Sequence, residues 1–260
     1  MAATGNEEHS IGFEISGYKY QEVENNGEKF ISIEGERYGV SYEYLSRKST
    51  EKSSFWLYQV DLSYGDLIYD GHSQYRKIEF KVNCCTDWYQ EYRLLYGLAL
   101  PFNDNRFVVM PYLGCAFRGL FNRVNNYYYI KDGRLAKIVG YDRYSVYLYI
   151  PLGIILRTEL DNDWLFSLNP EFDLFLLGHQ TSGIDTNGSG EPMKNAQHIG
   201  YGFRVSSRVS KKIGYEFAVF LEPFVKYWDI ADSDIVNGCL EPKNNTIECG
   251  VKVGILHFCG

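Results

Sequence analysis

One feature constrains this chain above all others: a period-two alternation of apolar and polar residues that recurs along nearly its whole length. Its clearest run places Tyr144, Val146, Leu148, Ile150, Leu152, Ile154 and Leu156 on one face, with Ser145, Tyr147, Tyr149, Gly153 and Arg157 between them. The next run puts Trp164, Phe166, Leu168, Phe172, Leu174 and Leu176 against Ser167, Asn169, Glu171 and Asp173. Successive side chains of a strand point to opposite faces, so such runs read as β-strands with two chemically different surfaces. Ten candidates follow: 11–23, 29–46, 53–69, 86–101, 106–121, 143–159, 163–179, 198–210, 214–230 and 245–258. Composition agrees, because 23 Tyr and 16 Phe in 260 residues suit a pleated, half-buried surface.

Alternation alone fits a soluble sandwich or a lipocalin-like barrel equally well. The polar faces decide between them. They carry Glu43, Asp61, Glu91, Glu171, Asp173, Glu222 and Glu248 against Arg93, Arg118, Arg157, Arg204, Arg208, Lys226 and Lys252. A soluble barrel would place the apolar faces inside and these charges outside. A membrane barrel turns the apolar faces to lipid and the charges to the lumen. The spacing of the strands favours the second: short links (47–52, 102–105, 160–162, 211–213) alternate with longer ones (70–85, 122–142, 180–197, 231–244), and only 24–28 on the long side is brief. Short turns at one rim and long loops at the other, with both termini on the short-turn side, are the up-and-down outer-membrane arrangement. The fold class predicted is therefore all-β: an up-and-down antiparallel transmembrane barrel of about ten strands. It occupies 11–258, with an N-terminal tail at 1–10 and a C-terminal tail at 259–260.

A net charge of −7 offers no basic stripe for a nucleic acid. No stretch approaches the roughly 20 apolar residues of a helical span, and no secretory leader is visible at Met1–Gly5. Aromatics near strand ends (Trp56, Tyr58, Trp88, Tyr141, Tyr144, Trp164, Tyr215, Tyr227 and Trp228) are placed in interfacial girdles. The lumen charges are read as a network that fills a narrow interior, since open aqueous channels come at about 16–18 strands.

The chain also resembles a family of uncharacterised, porin-like outer-membrane β-barrel proteins of proteobacteria. The stretches that carry the resemblance include Tyr38-Gly39-Val40-Ser41-Tyr42-Glu43-Tyr44, Tyr69-Asp70-Gly71, Glu91-Tyr92-Arg93-Leu94-Leu95-Tyr96-Gly97, Pro111-Tyr112-Leu113-Gly114 and Gly140-Tyr141-Asp142-Arg143. Tyr149–Gly153, Gly200–Arg204, Glu222–Trp228 and Glu241–Glu248 continue it. The resemblance implies a barrel fold in a Gram-negative outer membrane. Its partners would be the lipid bilayer and lipopolysaccharide, with small solutes or extracellular ligands at the loops. It implies no reaction and no catalytic residue. Two features depart from such barrels. The last strand puts Phe258 on the face opposite Cys249, Val251, Val253 and Ile255, which calls for a bulge near 255–256 or an altered tail. Pro111, Pro151, Pro170 and Pro223 fall inside strands and are read as bulges or bends.

Candidates for chemistry are few. His179 at a strand end, with Asp173 three pairs below and Asp185 in the following loop, is the nucleus of an omptin-like rim hydrolase. That hydrolase is the alternative to a non-enzymatic barrel that serves as a surface structural or binding protein or as a narrow porin with a largely occluded lumen. His72, His179 and His198 form the one conceivable metal trio, and Ser207 the one outward serine for a lipid deacylase. Neither has the partners its chemistry needs, so no metal and no cofactor are expected. The acidic loop residues Asp185, Glu191, Asp232, Asp234 and Glu241 are read as solvated. Cys84 or Cys85 pairing with Cys239 and free thiols are both left open.

Overall fold

The computed structural model describes residues 7–23, 29–47, 53–72, 79–102, 106–131, 134–183, 192–236 and 240–259. Ten long strands make the barrel wall. They are β1 (Glu7–Val23), β2 (Lys29–Arg47), β3 (Ser53–His72), β4 (Glu79–Phe102), β5 (Phe107–Arg123), β8 (Asp142–Glu159), β9 (Trp164–Ser182), β11 (Gly200–Lys212), β12 (Phe217–Ile230) and β13 (Asn244–Cys259). Three short strands, β6 (Tyr127–Lys131), β7 (Arg134–Ile138) and β10 (Met193–Gln197), lie in the long connections. Each wall strand pairs antiparallel with its neighbours, and β13 pairs with β1 from Glu7–Cys259 to Glu22–Asn244, which closes the sheet. Closure removes the free edges that an open sheet of this size would expose. Among the described residues there is no helix.

The stagger of the wall follows from its register. A path stepped across the strands from Glu7 runs through Ser46, Trp56, Tyr96, Leu113, Leu152, Phe172, Phe203, Tyr227 and Ile247. It returns to β1 at Lys19, twelve residues higher (19 minus 7). Ten strands with that shear tilt by about 40° and enclose a backbone cylinder of about 10 Å radius, narrow enough for side chains to fill.

Burial alternates in the inverted sense. Ile11, Phe13, Ile15, Val40, Leu62, Leu94, Leu148, Leu221 and Val253 face out and are exposed, while Glu14, Asp61, Glu91, Glu171, Glu222 and Lys252 face in and are buried. Above this belt, toward the long loops, the polarity reverts. There Glu34 and Asp66 face out, whereas Ile31, Ile33, Leu67, Tyr69 and Val82 pack inside with Tyr18, Tyr20 and Phe30. Wall in contact with water buries its apolar face like any soluble sheet; only the belt is inside out. At the boundary, Tyr38, Tyr64, Trp88, Phe121 and Tyr144 are successive cross-strand neighbours. They form one arc of an interfacial girdle, with Tyr64 edge-on to Trp88 at 4.8 Å and Phe121 against Tyr144 at 4.6 Å.

The structure corrects several details. β3 and β4 pair as far as His72–Glu79, so the connection read as 70–85 shrinks to 73–78. The connection 122–142 contains the β6–β7 hairpin, and 180–197 contains β10, which extends the sheet beside the top of β9. Trp228 is not in a girdle: it is buried in the lumen, edge-on to Tyr149 at 4.9 Å, and Tyr141 packs against the upper inner core. The final strand contains no bulge. β13 keeps phase through Cys259, and Phe258 turns inward against Leu165, Ala218, Phe220 and Leu256.

Pro111, Pro170 and Pro223 do not shift register either, while a one-residue shift lies two residues from Pro151, at Leu148–Tyr149 on the β8–β9 ladder. Near Pro111, pairing with β4 lapses between Gly97–Tyr112 and Leu100–Val109 and resumes at the same offset, and the ladders beside Pro151, Pro170 and Pro223 lapse in the same way. A missing N–H removes one bond from one ladder, and the intact neighbouring ladder holds the strand in place.

Candidate functional site

The lumen is the part of the molecule where sequence, burial and charge converge. All fourteen charged residues assigned to it from the sequence point inward. The wall brings them together across the barrel rather than along it.

At the level of the belt, Arg204 on β11 reaches Glu91 on β4 at 2.9 and 3.0 Å and Glu171 and Asp173 on β9 at 2.8 and 3.4 Å. Arg93 pairs with the same Glu171, and the Tyr149 and Tyr112 hydroxyls donate to Glu91 and Glu171 at 2.5 Å. Beside this cluster, Lys252 lies 2.6 Å from Asp61 and 3.5 Å from Glu14, and Lys226 lies 3.9 Å from Asp61 and 3.8 Å from Glu248. Nearer the short turns, Arg208 on β11 joins Glu43 on β2 to Glu222 on β12, and Ser10 and Gln59 donate to Glu43 at 2.9 and 2.5 Å. Arg157 on β8 forks onto Glu8 of β1 with both contacts at 2.8 Å. β1 and β8 stand on opposite sides of the closed wall, so this pair spans the full lumen.

Arg118 is held differently. Its guanidinium, 3% exposed, sits 5.1 Å from the Trp228 ring, 5.6 Å from Tyr147 and 5.8 Å from Tyr89, and its Nε and Nη1 have no hydrogen-bond partner. Ring faces supply the counter-charge that a carboxylate supplies elsewhere in the lumen.

Several members escaped the sequence reading. Glu14, Glu22, Arg37, Asp87 and Arg143 are all inward and buried, and the phase of their own strands (Ile11, Phe13, Ile15 outward around Glu14) carries the signal that finds them. Arg37 pairs with Asp87 and stacks on Tyr18 at 3.3 Å. Arg143 on β8 spans the lumen to Glu22 on β1 at 2.5 Å and to Glu241 at 3.4 Å. Glu241 corrects the reading of a solvated loop acid: it is 5% exposed and folds back over the barrel top with the β12–β13 connection. Burial and the neighbouring Glu22 carboxylate push it up to about 8, against the pull of Arg143. Asp232 and Asp234 do stay near solvent, the latter 3.1 Å from His198; Asp185, Glu191 and Cys239, and the side chains of His72 and Cys84, lie outside the described residues.

The rim hydrolase does not assemble as the sequence placed it. An irregular register near Leu148–Tyr149 changes the phase of β9, so His179 faces outward and is exposed while Asp173 faces the lumen and is 1% exposed. Among the described residues no cluster of histidine, cysteine and carboxylate side chains is arranged to hold a metal.

Below the charged layers the lumen opens. A small chamber is roofed by Glu43, Arg208 and Glu222 and ringed by Leu45, Leu57, Met110, Ile155, Leu165 and Leu256. A vestibule adjoins it at the short-turn mouth, lined by Arg47, Arg106, Arg157 and Lys212 with Glu8, Glu159, Val108 and Phe258. The two share Glu8 and Arg157.

No protein-family profile matches the chain, and no curated protein matches it. Among solved structures it is similar to the outer membrane protease OmpT of Escherichia coli, with a TM-score of 0.65 at 9% identity over 97% of this chain and 96% of that one. The toluene transporter TbuX of Ralstonia pickettii gives a TM-score of 0.40 at 8% identity, covering 97% and 89% of the two chains. OprG of Pseudomonas aeruginosa gives 0.39 at 9%, covering 98% and 97%. The likeness to OmpT is a likeness of fold: a closed ten-stranded antiparallel barrel of the outer-membrane type.

Proposed function

We propose that the protein is an integral barrel of a Gram-negative outer membrane whose lumen is plugged, and that it serves as a structural or binding scaffold at the cell surface without catalysis. The observation that carries this reading is the set of ion pairs that cross the interior: Arg143–Glu22 above, Arg204–Glu91 at the belt and Arg157–Glu8 below. Each joins distant strands of the wall, and together they occupy the axis an ion would follow. Each of these charges faces its opposite at short range, which offsets the several kcal/mol of desolvation each one costs.

The exposed apolar belt supports the membrane location. It leaves Ile11, Phe13, Leu113, Leu152, Leu221 and Val253 on the outside, where only hydrocarbon makes their exposure favourable. Lipid is thus the first partner, with lipopolysaccharide on the outer leaflet. The outward turn of His179, away from Asp173, weighs against the hydrolase.

Reconstitution into planar bilayers tests the plug. The protein is expected to give no stable conductance steps, whereas Arg204→Ala with Arg143→Ala should give brief openings. Long-lived open steps from the unaltered protein would overturn the reading. A peptide-hydrolysis assay completes the test: any activity lost in His179→Ala but retained in Asp232→Asn would restore the enzyme.

A further inference from the structure

We infer that the short-turn mouth is a binding site for small amphiphilic anions, molecules with one carboxylate or phosphate head and a medium-length apolar tail. The vestibule sets four cations, Arg47, Arg106, Arg157 and Lys212, against two carboxylates, Glu8 and Glu159. Of the cations, Arg157 is committed to Glu8 and Lys212 lies 3.5 Å from Glu159. Arg47 and Arg106 have no carboxylate partner among the described residues, and they flank the entrance on β2 and at the start of β5. Two guanidinium groups without an ion-pair partner among the described residues, facing one concave space, are suited to a carboxylate or phosphate, which they engage by paired hydrogen bonds.

The space beyond the cations is mixed, with Ser10, Gln59, Ser167, Asn169, Ser206 and Ser210 in its lining beside an apolar ring. Leu57, Met110 and Leu45 come from one apolar cluster of the inner wall and Leu165 and Leu256 from the cluster facing it, so the chamber has an apolar waist. Its roof is closed to charge in either direction: Glu43 already accepts from Ser10, Gln59 and Arg208. A ligand therefore has an anionic end at the mouth and an uncharged end within, its chain lying beside the Arg157–Glu8 bridge that borders both spaces. Glu43 and Arg47 lie four residues apart on β2, about 13 Å along the strand and about 10 Å along the tilted barrel axis, which sets the depth available to a tail. The site goes beyond the plugged-barrel reading and rests on it in one respect: the roof makes the chamber a dead end, so binding occurs without passage.

The test uses the full-length protein in lipid nanodiscs, titrated with carboxyl-labelled octanoate and followed by the carboxylate NMR signal, with protein-free nanodiscs as the reference. Saturable binding is expected, weakening by about fourfold for each methylene removed on going to hexanoate and butyrate. Octyl phosphate should compete, and octylamine and inorganic phosphate alone should not. Arg47→Gln with Arg106→Gln, which alters only the mouth, should weaken octanoate at least tenfold while leaving heat-modifiable gel mobility unchanged. Ser210→Phe, which fills the chamber, should block the tail and reduce octanoate binding to the level of butyrate. Octylamine binding as well as octanoate, phosphate binding as well as octyl phosphate, or an unaffected double variant would each overturn the site. Conductance with binding intact would remove the plug and leave the site; silence in bilayers with no binding would do the reverse.

Discussion

At the scale of single residues, this barrel is organised by side chains whose neighbours lie on other strands. Arg204 is the clearest case, because it is the common partner of Glu91, Glu171 and Asp173. Arg204→Met should destabilise the folded state by about 3–5 kcal/mol, since it leaves buried carboxylates uncompensated. Urea unfolding in detergent micelles, followed by tryptophan fluorescence, measures the loss; a change under about 1 kcal/mol would mean that lumen water solvates these groups as well as the arginine does. Glu241 carries a pH dependence with a definite sign. Its folded-state value is raised to about 8 from an ordinary 4.5, so the folded form holds its proton through a range where the unfolded form has lost it. Its contribution is complete below about 4.5 and is lost as pH rises through about 8. Hydrogen exchange of residues 231–236 and 240–243, corrected for its intrinsic pH dependence, should accelerate from about pH 4.5 to about pH 8 and level off above it, and Glu241→Gln should flatten that profile. An unaltered profile in the variant would place the titration elsewhere.

At the scale of elements, each strand is two strands in series. β3 shows it best: Asp61 and Ser63 face in while Leu62 and Tyr64 face out, and one turn of the pleat higher Leu67 and Tyr69 face in while Asp66 faces out. The backbone phase of β3 does not change along it; the solvent outside does. Depth should therefore decide the cost of an outward charge. Val251→Arg, mid-belt on β13, should cost about 2–4 kcal/mol, and Gln21→Arg, above the belt on β1, about 0–1 kcal/mol. Equal costs at the two sites would remove the membrane from the explanation. The connections follow local rules as well. In the β8–β9 turn, Asn162 and Asp163 adopt φ of 60° and 61°, a left-handed pair that Asn and Asp tolerate better than other side-chain-bearing residues and that the twist of a tight hairpin requires. Period two identified the wall strands, yet it understated β3 and β4 and passed over β6, β7 and β10. Pairing in these segments depends on a partner strand already in place, and their short or mixed alternation does not announce one.

For the whole molecule, closure is the governing fact. A stagger of twelve over ten strands fixes both the tilt and the bore, and that bore brings β1 within ion-pair reach of β8 on the far side. The folded barrel should run faster than the boiled chain on a denaturing gel and should fold only when detergent or lipid covers its belt. A chain that folds in buffer alone would refute the inside-out wall. Phe258 belongs to this scale too. The last strand ends with its aromatic ring turned into the lumen, against Phe220 and Leu165, where it narrows the short-turn mouth instead of meeting lipid.

The amino-acid sequence by itself determined the strands, the inversion of their faces and which rim carries the long loops. All three are written in nearest-neighbour periodicity, and the pleat enforces that periodicity locally. It also pointed fourteen charges inward, because direction follows from phase, while Glu14, Glu22, Arg37, Asp87 and Arg143 escaped it. Only the tertiary structure decided who pairs with whom. Arg143 meets Glu22, and Arg157 meets Glu8, across some 120 to 150 residues of chain, at distances set by bore and shear rather than by any spacing in the sequence. The same holds for the return of Glu241 over the barrel top, the parting of His179 from Asp173 at a register irregularity, and the basic vestibule where β2, β5, β8 and β11 converge. A strand fixes where a side chain points; a closed wall fixes what it finds there.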